Sequence, residues 1–176
     1  YKEALQKAVR SLEIGRYGLG FAKDYNSRSL QELLAMLAEP TSERQFIMYE
    51  ALRKGADVEQ LHRLTHIKPW FIEQMKELVM LEEEILKYKG REIPDELLAR
   101  AKRDGFGDRY LAFLLGVSEK EIRNRRKALG IVQGWEAVPV SGVEDAAYYY
   151  STYSPTCDAP GREEAGERNK VMILGG

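Results

Sequence analysis

The stretch PWFIEQMKELVMLEEEILKYKG, residues 69–90, decides the fold of this chain. Pro69 suits the first turn of a helix and Gly90 suits its end, so we predict one long helix over 69–88. Its apolar residues fall on two neighbouring stripes and form a face wider than a helix at a protein surface needs. We therefore expect this helix either to be central to its domain, which we favour, or to be covered by another subunit. The candidate subunit-contact residues are Phe71, Ile72, Met75, Leu78 and Val79.

Helical patterns continue on both sides of this stretch. Proline, glycine and capping residues separate them. Two serines, Ser42 and Ser118, stand three residues before Gln45 and Glu121, which is the spacing of a capping box. Asp57 can cap a further short helix. The fold class that this predicts is mostly α, a multi-helix orthogonal bundle over residues 1–130. Its expected helices are 1–12, 29–38, one that starts at 41–42 and stops at Gly55, 57–64, 69–88, 94–103, 108–115 and 118–129.

The composition changes after Gly130. Residues 131–153 are rich in β-branched and aromatic side chains, which predicts an extended crossover segment. Residues 154–169 contain prolines, glycines and charges and are expected to be a linker. The apolar run 170–176 ends in Gly175 and Gly176, which is typical of the truncated first strand and glycine turn of a nucleotide-binding α/β domain. We therefore expect the chain to be an internal module of a larger polypeptide.

The composition limits the classes of function. The chain has 27 basic and 28 acidic residues, a net charge of −1, so the whole molecule is not attracted to nucleic acid or to an anionic membrane. A single cysteine, Cys157, excludes an internal disulfide framework and fits a reducing cytosol. In the sequence, no apolar stretch reaches the roughly 20 residues of a membrane-spanning helix.

The sharpest local motif is the segment DRYLAFLLGVSEKEIRNRRKALG, residues 108–130. Two helices joined by a glycine-containing turn, the second of them basic, form the pattern of a DNA-binding helix-turn-helix. The alternative is a helical hairpin whose outer face is merely charged. The neutral charge of the whole chain favours the hairpin.

Other candidate sites are weaker. His62 and His66 have the spacing of two metal ligands on one helix face, but the sequence suggests no third ligand, so structural roles are favoured. The glycines of the loop after the first helix could suggest a phosphate-binding loop. Because such loops follow a strand, a helix end is the preferred interpretation. We expect residues 82–84, three consecutive glutamates, to lie on a solvated face, and Cys157 to have no special role.

Several blocks, taken in order, resemble the large, ATP-dependent subunit of glutamine-hydrolysing carbamoyl-phosphate synthase. The most specific are LTHIKPWF at 64–71, YYYSTY at 148–153 and KVMILGG at 170–176. Weaker ones are EALQKAVRSLE, IEQMKELVMLEE, RDGFGD and LGVSEKEIRNRR, at 3–13, 72–83, 103–108 and 115–126. One departure is the run VPVSGVEDAA at 138–147, which is shorter than the family's usual segment and lacks its Cys and Phe.

The resemblance implies that this region is the helical oligomerisation domain between two ATP-grasp halves, with Gly175 and Gly176 opening the second half. It carries over no catalytic, cofactor-binding or metal-binding residue to this chain. For the parent protein it implies a cytoplasmic ligase of arginine and pyrimidine biosynthesis that uses ATP with magnesium or manganese. The implied partners are a second copy of the chain, the two flanking halves and a glutamine amidotransferase small subunit. The resemblance implies no binding to nucleic acid or to a membrane. The remaining alternatives are a nucleic-acid-binding module using helix 118–129 and, more weakly, an isolated regulatory module.

Overall fold

The computed structural model describes residues 1–137 and 149–153. Within them the chain forms eight α-helices, one short 3-10 turn at Tyr25–Ser27 and two strands. This confirms the predicted mostly-α fold class. The helices are α1 Lys2–Ser11, α2 Leu30–Leu37, α3 Arg44–Arg53, α4 Val58–Thr65, α5 Pro69–Leu86, α6 Asp95–Arg103, α7 Asp108–Leu115 and α8 Glu119–Ala128.

Helix ends follow the local sequence in most places. Pro69 occupies the first turn of α5, and the Asp57 carboxylate accepts a hydrogen bond from the Gln60 amide at 2.8 Å. Ser118 and Glu121 form the predicted capping box at the start of α8. Gly116 ends α7 in the left-handed conformation, at φ 72°, which favours glycine.

The capping box predicted at Ser42 and Gln45 is wrong. α3 begins two residues later, with Glu43 as its N-cap and no side-chain capping bond. The Glu43 carboxylate instead accepts hydrogen bonds from Arg16 at 3.0 Å and Tyr25 at 3.3 Å. The start of this helix is therefore held by contacts to a loop far away in sequence, which short-range capping rules do not include.

The helix predicted to be central, α5, is central. α1, α3, α4 and α7 pack against it. Its inward residues and those of the surrounding helices form one apolar core, which continues through α2, α6 and Ile122 of α8. Burial of this kind is the main stabilising contribution to a helical domain, because most of these short helices would be marginal alone.

The chain divides into two units, Tyr1–Val132 and Gln133–Gly176. In the second unit, strands β1 Gly134–Ala137 and β2 Tyr149–Thr152 pair antiparallel, with Trp135 opposite Ser151. These strands confirm an extended segment where the structure describes it. The predicted linker 154–169, the predicted strand 170–176 with Gly175 and Gly176, and Cys157 lie outside the described residues. The predicted domain boundaries therefore stay predictions.

Candidate functional site

An aromatic cluster lies at the N-terminal end of α5. The rings of Trp70 and Phe71 are 5.0 Å apart, and that of Tyr1 lies 5.3 Å from each. All three side chains remain exposed, at 46% for Tyr1, 49% for Trp70 and 39% for Phe71. Tilted and edge-to-face aromatic contacts of this kind are favourable, and exposed apolar clusters are typical of protein contact surfaces.

The structure separates the five residues predicted to contact another subunit. Ile72, Met75, Leu78 and Val79 are buried in the core of the helical unit, so in this conformation they are not available to a second chain. Phe71 is the member of the set that reaches the surface. The predicted subunit contact stays a prediction, and its exposed part is the aromatic cluster of Tyr1, Trp70 and Phe71.

The expectation that Glu82 lies on a solvated face is wrong. Its side chain is fully buried, and its carboxylate accepts hydrogen bonds from the hydroxyls of Tyr49 at 2.8 Å and Tyr110 at 2.9 Å. It also pairs with Arg53. Burial raises the pKa of the Glu82 carboxyl, and the charge and hydrogen bonds of Arg53 and the hydroxyls oppose that rise only in part.

A second buried carboxylate, Glu50, completes this ionic network. It accepts the backbone N–H of Phe21 at 2.7 Å and the Arg53 Nε–H at 2.9 Å. Burial alone would lower the pKa of Arg53, but the negative charges of Glu82 and Glu50 raise it instead. The Arg53 guanidinium thus pairs with two buried carboxylates, those of Glu50 and Glu82. The network joins α3, α5 and α7 to the loop after α1. Its chemistry is structural, because each charged group is already paired.

The glycine loop at 15–20 packs closely against the same network. A Cβ added to Gly18 would lie 2.3 Å from the Tyr110 ring, and one added to Gly20 would lie 2.3 Å from the Glu82 carboxylate. The glycines are therefore needed for a close approach of backbone to side chains. The loop follows α1, as its interpretation as a helix end requires. Its Gly18 and Gly20 face packed side chains of the network, which explains the glycines without a phosphate.

The three arginines of α8 face acidic partners. Arg126 pairs with Asp108 at 2.8 Å, and Arg125 pairs with Asp95 at 2.6 Å. Arg123 pairs with Glu119, one turn earlier in the same helix. These carboxylates offset the positive field that phosphate contacts need. The nucleic-acid-binding alternative therefore has no support from this helix.

A buried lysine ties α6 to α7. The Lys102 side chain is 3% exposed, and its ammonium donates to the Phe106 carbonyl at 2.8 Å and to Asp108 at 2.6 Å. Burial would raise the pKa of the Asp108 carboxyl, but hydrogen bonds from Lys102 and Arg126 outweigh it and hold the pKa below its usual range. The position of Lys102, four residues after the buried Leu98, was the available sequence signal for its burial.

The two histidines have structural roles. His62 Nδ1 lies 2.7 Å from the Ile67 carbonyl, and His66 ends α4 at a φ of 58°. Within residues 1–137 and 149–153, no three histidine, cysteine, aspartate or glutamate side chains are placed to hold a metal ion.

The sequence model of one protein family, the carbamoyl-phosphate synthetase large chain oligomerisation domain, matches residues 1–130. The chain belongs to this family. The carbamoyl phosphate synthase large chain of Archaeoglobus fulgidus is 41% identical over an alignment of 182 residues that covers 99% of this chain. That of Synechocystis is 38% identical and covers 100% of it. A Methanopyrus kandleri relative named as the N-terminal section of the large chain is 38% identical over 90% of this chain.

The carbamoyl-phosphate synthetase match includes both α7 and α8, so the helix pair that resembled a DNA-binding motif is part of the oligomerisation-domain family. Its end at residue 130 lies close to the end of the first unit at Val132. The chain spans 16% of the length of the Archaeoglobus and Synechocystis synthase large chains and 31% of the Methanopyrus section. Among the described helices, none combines the length and apolar character needed to cross a bilayer.

Proposed function

We propose that this chain is a helical self-association and spacer domain within a carbamoyl phosphate synthase large chain, and that it catalyses no reaction itself. The observation that carries the proposal is the match of residues 1–130 to a family described as an oligomerisation domain. The exposed cluster of Tyr1, Trp70 and Phe71 supports it from the structure. Aromatic side chains are enriched among the residues that dominate binding at protein interfaces.

For the longer protein we propose the activity that the relatives' names indicate. It forms carbamoyl phosphate from bicarbonate, glutamine-derived ammonia and two ATP, with magnesium or manganese, in cytoplasmic arginine and pyrimidine biosynthesis. Its partners are the two flanking ATP-grasp halves and a glutamine amidotransferase small subunit. Residues 131–153 are the crossover, 154–169 the linker and 170–176 the first strand of the second half. The support is the resemblance together with the named relatives.

The proposed contact is built around Phe71, because the rest of the apolar face of α5 is used by the core. A stable dimer contact buries about 800 Å² on each partner. The aromatic cluster supplies only a central part of that area, and the surrounding polar surface supplies the rim. We therefore expect weak to moderate self-association of the chain alone, which becomes stronger where other parts of the longer protein add contact area.

Replacing Phe71 with serine is expected to raise the dimer dissociation constant by roughly 30-fold, as the loss of an aromatic hot spot of about 2 kcal/mol would. The matched control is Met80→Ser, since Met80 lies on the same helix and is 63% exposed but is outside the cluster. Sedimentation velocity over a concentration series measures both constants. A strictly monomeric chain at high micromolar concentration would contradict the proposed function.

The chain alone is expected not to bind ATP with magnesium at micromolar concentrations. In the glycine loop that most resembles a phosphate cradle, Gly18 packs on the Tyr110 ring and Gly20 on the paired Glu82 and Arg53 side chains, so these glycines serve close packing and not phosphate binding. Isothermal titration calorimetry with ATP and magnesium checks this, with ADP and magnesium as the comparison. Stoichiometric micromolar binding would mean that the chain contains a nucleotide site and is more than a spacer.

A further inference from the structure

A cleft of about 410 Å³ lies between the loop after α1 and one face of α7. Residues 15–18 and 20–22 of the loop form one wall, and Arg109, Tyr110 and Phe113 of α7 form the other. The described lining contains four aromatic side chains, two arginines and no acidic side chain. Small-molecule sites are concave, mostly apolar and about 300–1,000 Å³ in volume, with a few polar groups that orient the ligand. This cleft, called the Arg109 cleft below, has the size and the composition of such a site.

The apolar part of the Arg109 cleft is a set of rings in mutual contact. The Phe113 ring lies 5.8 Å from that of Phe21 and 6.1 Å from that of Tyr110. Phe113 is nevertheless 60% exposed, so its neighbours leave much of its surface in water. A flat apolar group placed against Phe113 would form a further ring contact and would remove this surface from water, and both effects are favourable.

The loop side of the cleft is fixed by the buried ionic network. Phe21 has a left-handed backbone, at φ 56°, and its amide donates to the buried Glu50 carboxylate at 2.7 Å. A non-glycine residue in this conformation is strained and persists where its surroundings fix it. Gly18 packs directly on the Tyr110 ring, which joins the loop to α7. The cleft is therefore formed before any ligand arrives, which lowers the entropic cost of binding.

Arg109 is the cation of the cleft that no described acid neutralises. Its guanidinium lies over the Tyr17 ring, 3.9 Å from the centroid, and forms no ion pair with the described residues. The other lining arginine, Arg16, is already paired with Glu43 at 3.0 Å. A guanidinium that stacks on a ring uses its face, so the N–H groups at its edge remain available, and their fork matches the two oxygens of a carboxylate.

We propose that the Arg109 cleft is a binding site for a small aromatic carboxylate, whose carboxylate group pairs with Arg109 and whose ring lies against Phe113. An amine of the same shape would be repelled by the two arginines, and an aliphatic acid would lack the ring contact. The site is made by side chains of α7 and the loop and not by the glycine backbone. The inference goes beyond the proposed function, since a self-association and spacer domain requires no small-molecule site.

The probe is naphthoate, with naphthamide as the neutral compound of the same shape and cyclohexanecarboxylate as the non-aromatic acid. Titration of the isotope-labelled 176-residue chain, followed by two-dimensional NMR, gives dissociation constants and locates the site. Naphthoate is expected to bind with a dissociation constant below about 1 mM and to shift the amide signals of residues 15–22 and 109–113. The other two compounds are expected to bind about 10-fold more weakly, because one lacks the charge and the other lacks the ring.

Arg109→Gln is expected to raise the dissociation constant of naphthoate about 10-fold and to leave that of naphthamide nearly unchanged, because only the acid uses the guanidinium charge. Phe113→Ser is expected to weaken the binding of both compounds, because both place a ring against residue 113. The matched controls, Arg103→Gln and Phe71→Ser, change an exposed arginine and an exposed phenylalanine outside the cleft and should leave binding unchanged. Circular dichroism establishes that each variant is folded.

A loss of naphthoate binding in Arg109→Gln, with naphthamide unaffected, supports the site. The inference is overturned if naphthoate does not bind at several millimolar, or if Arg109→Gln changes the binding of the acid and the amide equally. Shifted signals that lie away from the loop and α7 would also overturn it. None of these results bears on self-association, which sedimentation measures separately, so this inference and the proposed function fail independently.

Discussion

Replacing Arg53 with methionine is expected to destabilise the helical unit by about 3–5 kcal/mol, because the substitution leaves buried carboxylates without their cation. Arg53 donates to Glu50 at 2.9 Å and pairs with Glu82, and both of these side chains are fully buried. Tyr49 and Tyr110 can still donate to Glu82, but hydroxyls do not neutralise its charge. Urea unfolding followed by circular dichroism measures the loss of unfolding free energy.

The matched control is Arg100→Met. Arg100 pairs with Glu84, but both side chains are nearly half exposed, and such a pair contributes about 0–1 kcal/mol. A second variant separates lost charge pairing from lost packing. In Arg53→Met with Glu82→Gln the unpaired charge on residue 82 is replaced by a neutral amide, so part of the lost stability should return. Equal effects of Arg53→Met and Arg100→Met would contradict a buried network.

The helices could be predicted because their signals are local. Proline at the start of α5, Asp57 before α4 and the Ser118–Glu121 capping box each act within one turn of backbone. The width of the apolar face on α5 also indicated a central position correctly. That face could not reveal which residues another subunit would cover, because a core position and an interface position have the same apolar character.

The wrong predictions concern polar residues whose hydrogen-bond and ion-pair partners lie far away along the chain. Glu82 is bonded to residues 28, 29 and 33 positions away, and its burial depends on that convergence. A usable signal existed, since Glu82 lies four residues after Leu78 and seven after Met75, within the apolar stripe. Lys102 has the same kind of position on α6. Because charged residues are almost never fully buried unless they are paired, a charge within an apolar stripe indicates that a partner has to be sought.

The exposed surfaces also differ in how far the sequence could predict them. The aromatic part of the first surface, Trp70 and Phe71, is contiguous in sequence, and Phe71 was among the predicted contact residues. By contrast, Phe113 packs against Phe21 and Arg109 stacks on Tyr17, and only the folded chain brings these residues of α7 to the loop after α1.

Replacing Leu78 with alanine is expected to reduce the unfolding free energy of the helical unit by about 3–5 kcal/mol. Leu78 is at the centre of α5 and is fully buried, so the substitution removes packed apolar atoms and leaves a cavity that the rigid neighbours fill only in part. The same substitution at Met80, on the same helix but 63% exposed, should change stability by less than about 0.5 kcal/mol. Urea unfolding at a concentration where the chain is monomeric measures both.

This comparison also decides between the two predictions made for α5. If Leu78 belongs to the core, Leu78→Ala weakens the monomer and leaves the dissociation constant of the remaining folded protein nearly unchanged. If Leu78 instead contacts a second subunit, the monomer keeps its stability and the dissociation constant rises, because the cavity then opens at the interface. Sedimentation in the absence of urea supplies the second measurement. A stable monomer with weakened association would contradict the central position of α5 and return Leu78 to the predicted contact.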